Sequence, residues 1–272
     1  MLLPTKTTFT KTAYIYCKCM IKFFRRIRQQ LISENKTGKY LKYAIGEIVL
    51  VVIGILIALS VNTWNENRKN KVTEKDIYCK LLEDFNLDRQ NIANLSEEAD
   101  YKINVAKKLL LELPKKNKDK SYLIDNYIQA LRTNAFTPSK VTISDITSSG
   151  KLNLITNNEL KTSLLRYYAE LDNLLYQLSL GRSKILDRAF DYENDIDFGF
   201  QFADYAKKVI GSEVMSTLPE DKWELNSKSK IYRQFQDDLV FFIVMSDREK
   251  QHFRKIMEEM QLTYNLLISL CK

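Results

Sequence analysis

Residues 44–61, AIGEIVLVVIGILIALSV, constrain this chain more than any other stretch. Glu47 is the one charge among them, and Ser60 the only other polar side chain. A helix of this length rises about 27 Å, close to the roughly 30 Å of a bilayer's hydrocarbon core. A core helix of a soluble protein would carry a polar stripe, which this run lacks. A cleaved signal peptide is the other reading, since Ala58-Leu59-Ser60 sets small residues at a suitable spacing. The apolar region of such a signal runs about 7–15 residues, however, and this one is longer. The expectation is therefore an uncleaved transmembrane helix over residues 44–61, with Trp64 following at interfacial depth.

The charge distribution sets a direction. Residues 1–43 hold ten Lys and Arg against a single acid, Glu34, whereas the remainder of the chain has 32 basic and 33 acidic residues. The segment before the apolar run thus carries +9 and the remainder −1, so all the positive excess of the chain's net +8 lies before the run. Nucleic-acid binding places basic charge on the folded domain, and this domain is neutral, so no nucleic-acid partner is expected. A basic flank ahead of a span is the positive-inside pattern. It puts the N-terminus in the cytoplasm and the rest of the chain on the far side of an inner membrane, in the periplasm. Arg68, Lys69 and Lys71, beyond the span, work against that bias.

Residues 20–43 form the basic cytoplasmic segment. Met20, Phe24, Ile27 and Leu31 recur at helical spacing, and Lys22, Arg25, Arg26 and Arg28 occupy much of the rest of that helix. Such a helix suits the anionic surface of a lipid bilayer. A solvated basic tail is the plainer reading. Lys36-Thr37-Gly38-Lys39 is expected to break the helix before the span.

Three stretches, MIKFFRRIRQQL, TGKYLKYAIGEIVLVVIGILIALSVNTWNE and SSGKLNLITNNELKTSLLRYY, resemble an uncharacterised family of bacterial single-pass membrane-anchored proteins. The resemblance implies residence in a Gram-negative envelope and an all-α exported domain. It carries no catalytic residues. It also implies a start equivalent to Met20, which makes residues 1–19 an N-terminal extension without a pattern of its own.

Within the span, Ala44, Glu47, Val51, Gly54, Ala58 and Val61 fall on one helical face. Gly54 and Ala58 make a small-xxx-small pair that lets helices approach closely. This face is the expected transmembrane helix interface, for a homo-oligomer or for an envelope protein partner. Two readings of Glu47 stay open. It lies only about 5 Å inside the span by helical rise and can snorkel to the cytoplasmic rim, or it makes a polar contact with another helix.

Residues 62–272 read as an exported all-α domain, since Gly and Pro are few and strand-like alternation is short. A long, heptad-like first helix is expected over residues 74–113, ended by Pro114, with polar Asp88 at one of its apolar positions. A shorter helix follows over about 121–135. Thr142 and Asp145 resemble a capping box, with Gly150 as the stop. Thr156 and Glu159 form a second box, opening a helix that continues to about residue 190. Further helices are expected over about 200–210, ending at Gly211, and over about 229–270. The fold class is all-α: one N-terminal transmembrane helix, then an exported bundle of long antiparallel helices with coiled-coil character.

Chemistry-bearing motifs are sparse. His252 is the one histidine, so a His₂ or His₃ metal site within one chain is impossible. Cys17, Cys19, Cys79 and Cys271 form no CxxC pair, and there is no GxSxG, HExxH or P-loop. The acidic stretch DYENDIDFG lacks the glycine and glutamate of a calcium loop: counted from Asp191, the sixth and twelfth positions hold Ile196 and Phe202. No catalytic residue, cofactor or metal is expected. If the first and last long helices pack antiparallel, Cys79 and Cys271 meet at the membrane-proximal end of the domain and can form a disulfide. Cys79 can equally pair with its copy in a second protomer, or stay a buried thiol.

The leading functional reading is a membrane-anchored, non-enzymatic helical interaction or sensory module of the cell envelope. The alternative is an auxiliary subunit of a larger inner-membrane complex that contacts partner helices through Glu47. An envelope hydrolase ranks third.

Overall fold

The computed structural model describes residues 37–189 and 191–272. The expectations for residues 1–19 and for the amphipathic segment with Lys22, Arg25, Arg26 and Arg28 lie outside the described residues. All regular structure among the described residues is helical.

No Pro or Gly interrupts the chain between Gly54 and Pro114, and the helix containing the apolar run continues almost to that proline. This helix, α1, spans Thr37–Glu112, 76 residues. The sequence reading separated a span over 44–61 from a bundle helix starting at 74; here they are one element. The reason is the absence of a breaker: residues 62–76 are polar but contain no Pro or Gly to stop propagation. Asn62 even donates to Glu66 one turn on, at 3.1 Å. The expected break at Lys36–Lys39 is also absent from Thr37 onward, since one glycine in the first turn costs at most about 1 kcal/mol.

The chain divides into two compact units between Asn70 and Lys71, and each is described by itself. In the first, no described residue from 44 to 70 is buried. Its helix is long and apolar enough to cross a membrane. Ser60 returns its hydroxyl to the Leu56 carbonyl at 2.8 Å, which leaves no free hydroxyl donor in the run.

The second unit is a four-legged bundle, up-down-up-down. Its first leg is the part of α1 from Lys71. The second leg is broken into α2 (Lys120–Leu131), an extended stretch, α3 (Val141–Ser148) and a 3₁₀ turn (Lys151–Leu154). It descends along α1: Asn134 meets Glu98, Ser139 meets Asp88, Thr142 meets Asp84 and Thr156 meets Glu74. The third leg, α4 (Asn158–Ala189), climbs again. Short helices α5 (Asp195–Phe198), α6 (Asp204–Ile210) and α7 (Ser212–Met215) cross over the top. The last leg, α8 (Lys230–Cys271), descends the full length. Its contacts with α1 run in reverse order, from Tyr232 on the Leu113 carbonyl, through Lys102–Glu249, to Asn86–Tyr264.

Two buried apolar clusters fill the bundle. Leu81, Phe85, Leu164, Tyr167, Phe253 and Ile256 belong to one. Leu109, Tyr127, Phe198, Trp223, Phe235 and Phe242 belong to the other. The second lies under the cap, where Trp223 donates its ring N–H to the Phe198 carbonyl at 2.7 Å. Gly199 turns the chain there at φ 104°, and a Cβ at that position would sit 2.7 Å from Lys120 Cε.

Several expected boundaries move, for tertiary reasons. α2 stops at Leu131 rather than near 135, and Phe136 is buried from the non-helical stretch that follows. Thr142 and Asp145 make no capping box. α3 starts at Val141 without a local side-chain cap, and Asp84 of α1 accepts from the Thr142 amide instead, at 3.0 Å. Asn157, one residue after Thr156, caps α4 by accepting from Leu160 N at 2.8 Å. Thr156 itself is taken up by Glu74, which accepts from its amide at 2.6 Å and from its hydroxyl at 2.7 Å. The expected helix over 200–210 is a 3₁₀ turn (Phe200–Phe202) followed by α6.

Candidate functional site

Two regions carry the residues singled out in the sequence. In the first unit, Ala44 and Glu47 are half-buried and Val51, Gly54 and Ala58 are exposed. A Cβ added at Gly54 meets nothing within 4 Å. The face therefore has room for a neighbouring helix.

In the second unit, the last leg brings Cys271 back to the start of the first. Cys79 and Cys271 are joined by a disulfide, with Cα atoms 5.0 Å apart across 192 residues of sequence. Lys75 adds a hydrogen bond from its ammonium to the Lys272 carbonyl at 2.8 Å. The end of the chain is thus tied to α1 a few residues beyond Asn70.

The bundle also buries polar centres, most of which the sequence reading did not pick out. On α1, Asp84 and Asp88 lie one turn apart, 7% and 2% exposed. Asp88 accepts from the Ser139 amide at 2.7 Å. Asp84 accepts from the Ser139 hydroxyl at 2.6 Å as well as from the Thr142 amide. Burial pushes the Asp88 carboxyl up to about 6. The hydroxyls of Tyr167 and Tyr168, buried beside Phe85, have no hydrogen-bond partner.

Higher in the bundle, Asp238 of α8 accepts from Tyr127 at 2.9 Å and Tyr192 at 2.7 Å. Burial raises its carboxyl above the usual range, and the two hydroxyls partly oppose this. Lys102 and Glu249 form a buried ion pair at 2.8 Å. Lys118 and Lys120 hold the chain before α8 by donating to the carbonyls of Glu224 and Asp221, and Lys120 also lies 3.8 Å from the Glu224 carboxylate. Burial lowers the Lys120 ammonium, with Glu224 pulling the other way.

His252 lines a crevice of about 20 Å³ between α4 and α8, with Gln177, Arg182 and Glu249. That is room for about one water. Burial first, then Arg248 and Lys255, hold its imidazole below the ordinary value. The acidic stretch from Asp191 is drawn into the short helix α5, with Asn194 as its cap. Among the described residues no group of three or more His, Cys, Asp or Glu side chains is placed to hold a metal.

A polar residue at an apolar helix position was the available signal for these centres. Asp88 showed it, and Asp238 lies on the face of Phe235, Leu239 and Phe242. Lys118 and Lys120 gave none, because their partners are backbone carbonyls about a hundred residues away.

Residues 47–191 match the model of a family of unknown function, DUF6090, and the chain belongs to that family. The match takes in both the apolar run from Glu47 and the helical stretch around residues 148–168. No curated protein and no solved structure matches the chain.

Proposed function

We propose that this DUF6090 protein is a membrane-anchored, non-enzymatic helical interaction or sensory module of a bacterial cell envelope. One observation carries the reading: an uncovered apolar helical run and a packed, disulfide-tied bundle occur in one chain. Leaving a run of this length in water is costly, at about 25 cal/mol per Å² of apolar surface. A bilayer removes that cost and satisfies the length at the same time.

Direction follows from the basic excess before the run, which favours a cytoplasmic N-terminus and a periplasmic C-terminal domain at the inner membrane. The disulfide fits this placement, because such bonds persist in oxidising compartments and are rare in the cytosol. The non-enzymatic reading is supported by what the buried and half-buried ionisable groups do. Asp84, Asp88, Asp238, Lys102, Lys118 and Lys120 each fasten one segment of the bundle to another.

Affinity purification of the full chain from detergent-solubilised membranes tests the reading. Recovery from the membrane fraction as a homo-oligomer is the expected result. A stoichiometric heteromeric complex would instead make the protein an auxiliary subunit. Release of the intact chain by alkaline carbonate would overturn membrane anchoring.

A further inference from the structure

We infer that Asp84 and Asp88 form an acid-tightened latch, a proton-binding site that fastens the returning 139–142 segment to α1 more firmly as pH falls. The inference holds whether or not the domain is exported.

The geometry is that of two buried carboxylates sharing one small site. They lie one turn apart on α1, and their hydrogen bonds come only from neutral donors: the Ser139 amide, the Ser139 hydroxyl and the Thr142 amide. Two ionised carboxylates at such a distance repel, and in a buried site water screens them poorly. One proton removes the repulsion and keeps every existing bond, because a neutral carboxyl still accepts through its carbonyl oxygen. The added O–H also supplies a donor in a site where the phenol oxygens of Tyr167 and Tyr168 have no partner.

The surroundings leave Asp88 as the group that takes up the proton. From α4, Tyr167 and Tyr168 face the site and stay neutral, since burial and the nearby carboxylates push both phenols up. From the returning segment, Lys140 is the one cation close by, and it is engaged with Asp172 of α4 at 2.5 Å. The buried residues of α8 along this stretch, Met260, Thr263 and Leu267, carry no charge.

Burial, reinforced by Asp84 and opposed by the Ser139 amide and Lys140, raises Asp88 to about 6. A solvated aspartate titrates near 3.9. The closed latch therefore binds a proton that the open one releases. Its extra stability is fully present below about pH 4, falls as pH rises and is gone above about pH 6. Between pH 8 and pH 5 the closing equilibrium improves about tenfold.

Hydrogen exchange of the full chain in lipid nanodiscs tests this, read on peptides covering residues 132–143 and corrected for intrinsic exchange rates. Protection of the wild type should rise about tenfold from pH 8 to pH 5. Asp88→Asn should be protected at pH 8 as the wild type is at pH 5, and lose the slope. Asp84→Asn, which removes the like charge, should shift the midpoint to lower pH. A flat or falling wild-type profile, a slope retained in Asp88→Asn, or an unmoved midpoint in Asp84→Asn would overturn the latch. If Asp88→Asn fails to fold, the wild-type slope and the Asp84→Asn midpoint still decide.

Discussion

Asp238 shows how single polar residues hold this bundle. Its carboxylate is 2% exposed and is the common acceptor of two tyrosine hydroxyls from different segments. Asp238→Ala would leave both hydroxyls buried without a partner, at a cost of about 2–4 kcal/mol. Asp238→Asn keeps an acceptor oxygen and should cost clearly less. Chemical denaturation of the full-length variants in detergent measures both; equal losses would mean that the contact is not the source. The presence of such a residue was legible as an acid among Phe235, Leu239 and Phe242. Its partners were not, because Tyr127 and Tyr192 are 111 and 46 residues away. Asp84 was not legible even to that extent: it sits at no conspicuous position and yet caps α3 from another helix.

At the scale of elements, the helices were legible to within a few residues wherever breakers or apolar stripes marked them. α4 and α8 lie almost where the expected helices, from Thr156 to about residue 190 and over about 229–270, put them. The misplaced boundaries are those decided by long-range partners, such as Asp84 at α3 and Glu74 at Thr156. They also include the junction after residue 61, where nothing in the sequence stops a helix. The apolar part of α1 carries its own prediction. Gly54 and Ala58 share a face with Ala44, Glu47 and Val51, and close approach of two such helices needs small side chains. Gly54→Leu should weaken self-association in a membrane two-hybrid assay, whereas Ile55→Leu, off that face, should leave it unchanged. Equal effects would show that this apolar run has no specific face.

At the scale of the whole molecule, the Cys79–Cys271 bond closes almost the entire second unit into a loop of 192 residues. Loss of such a bond removes a constraint on the unfolded chain, typically about 2–5 kcal/mol. Cys271→Ser should therefore lower the denaturation midpoint, and the wild type should run as a monomer on non-reducing gels with a mobility that shifts on reduction. A band at twice the monomer mass that requires only Cys79 would contradict an intramolecular bond. The disulfide and the basic flank before residue 44 both favour the proposed topology, one on redox and one on electrostatic grounds. The proposed topology, with residues 44–61 in the membrane and the bundle outside the cytoplasm, has its sharpest test in a reporter fused after Lys272 that becomes active only when exported. An active, membrane-bound reporter is the expected result. A reporter active only when its carrier remains in the cytoplasm, substituted at the same position and giving signal, would contradict it.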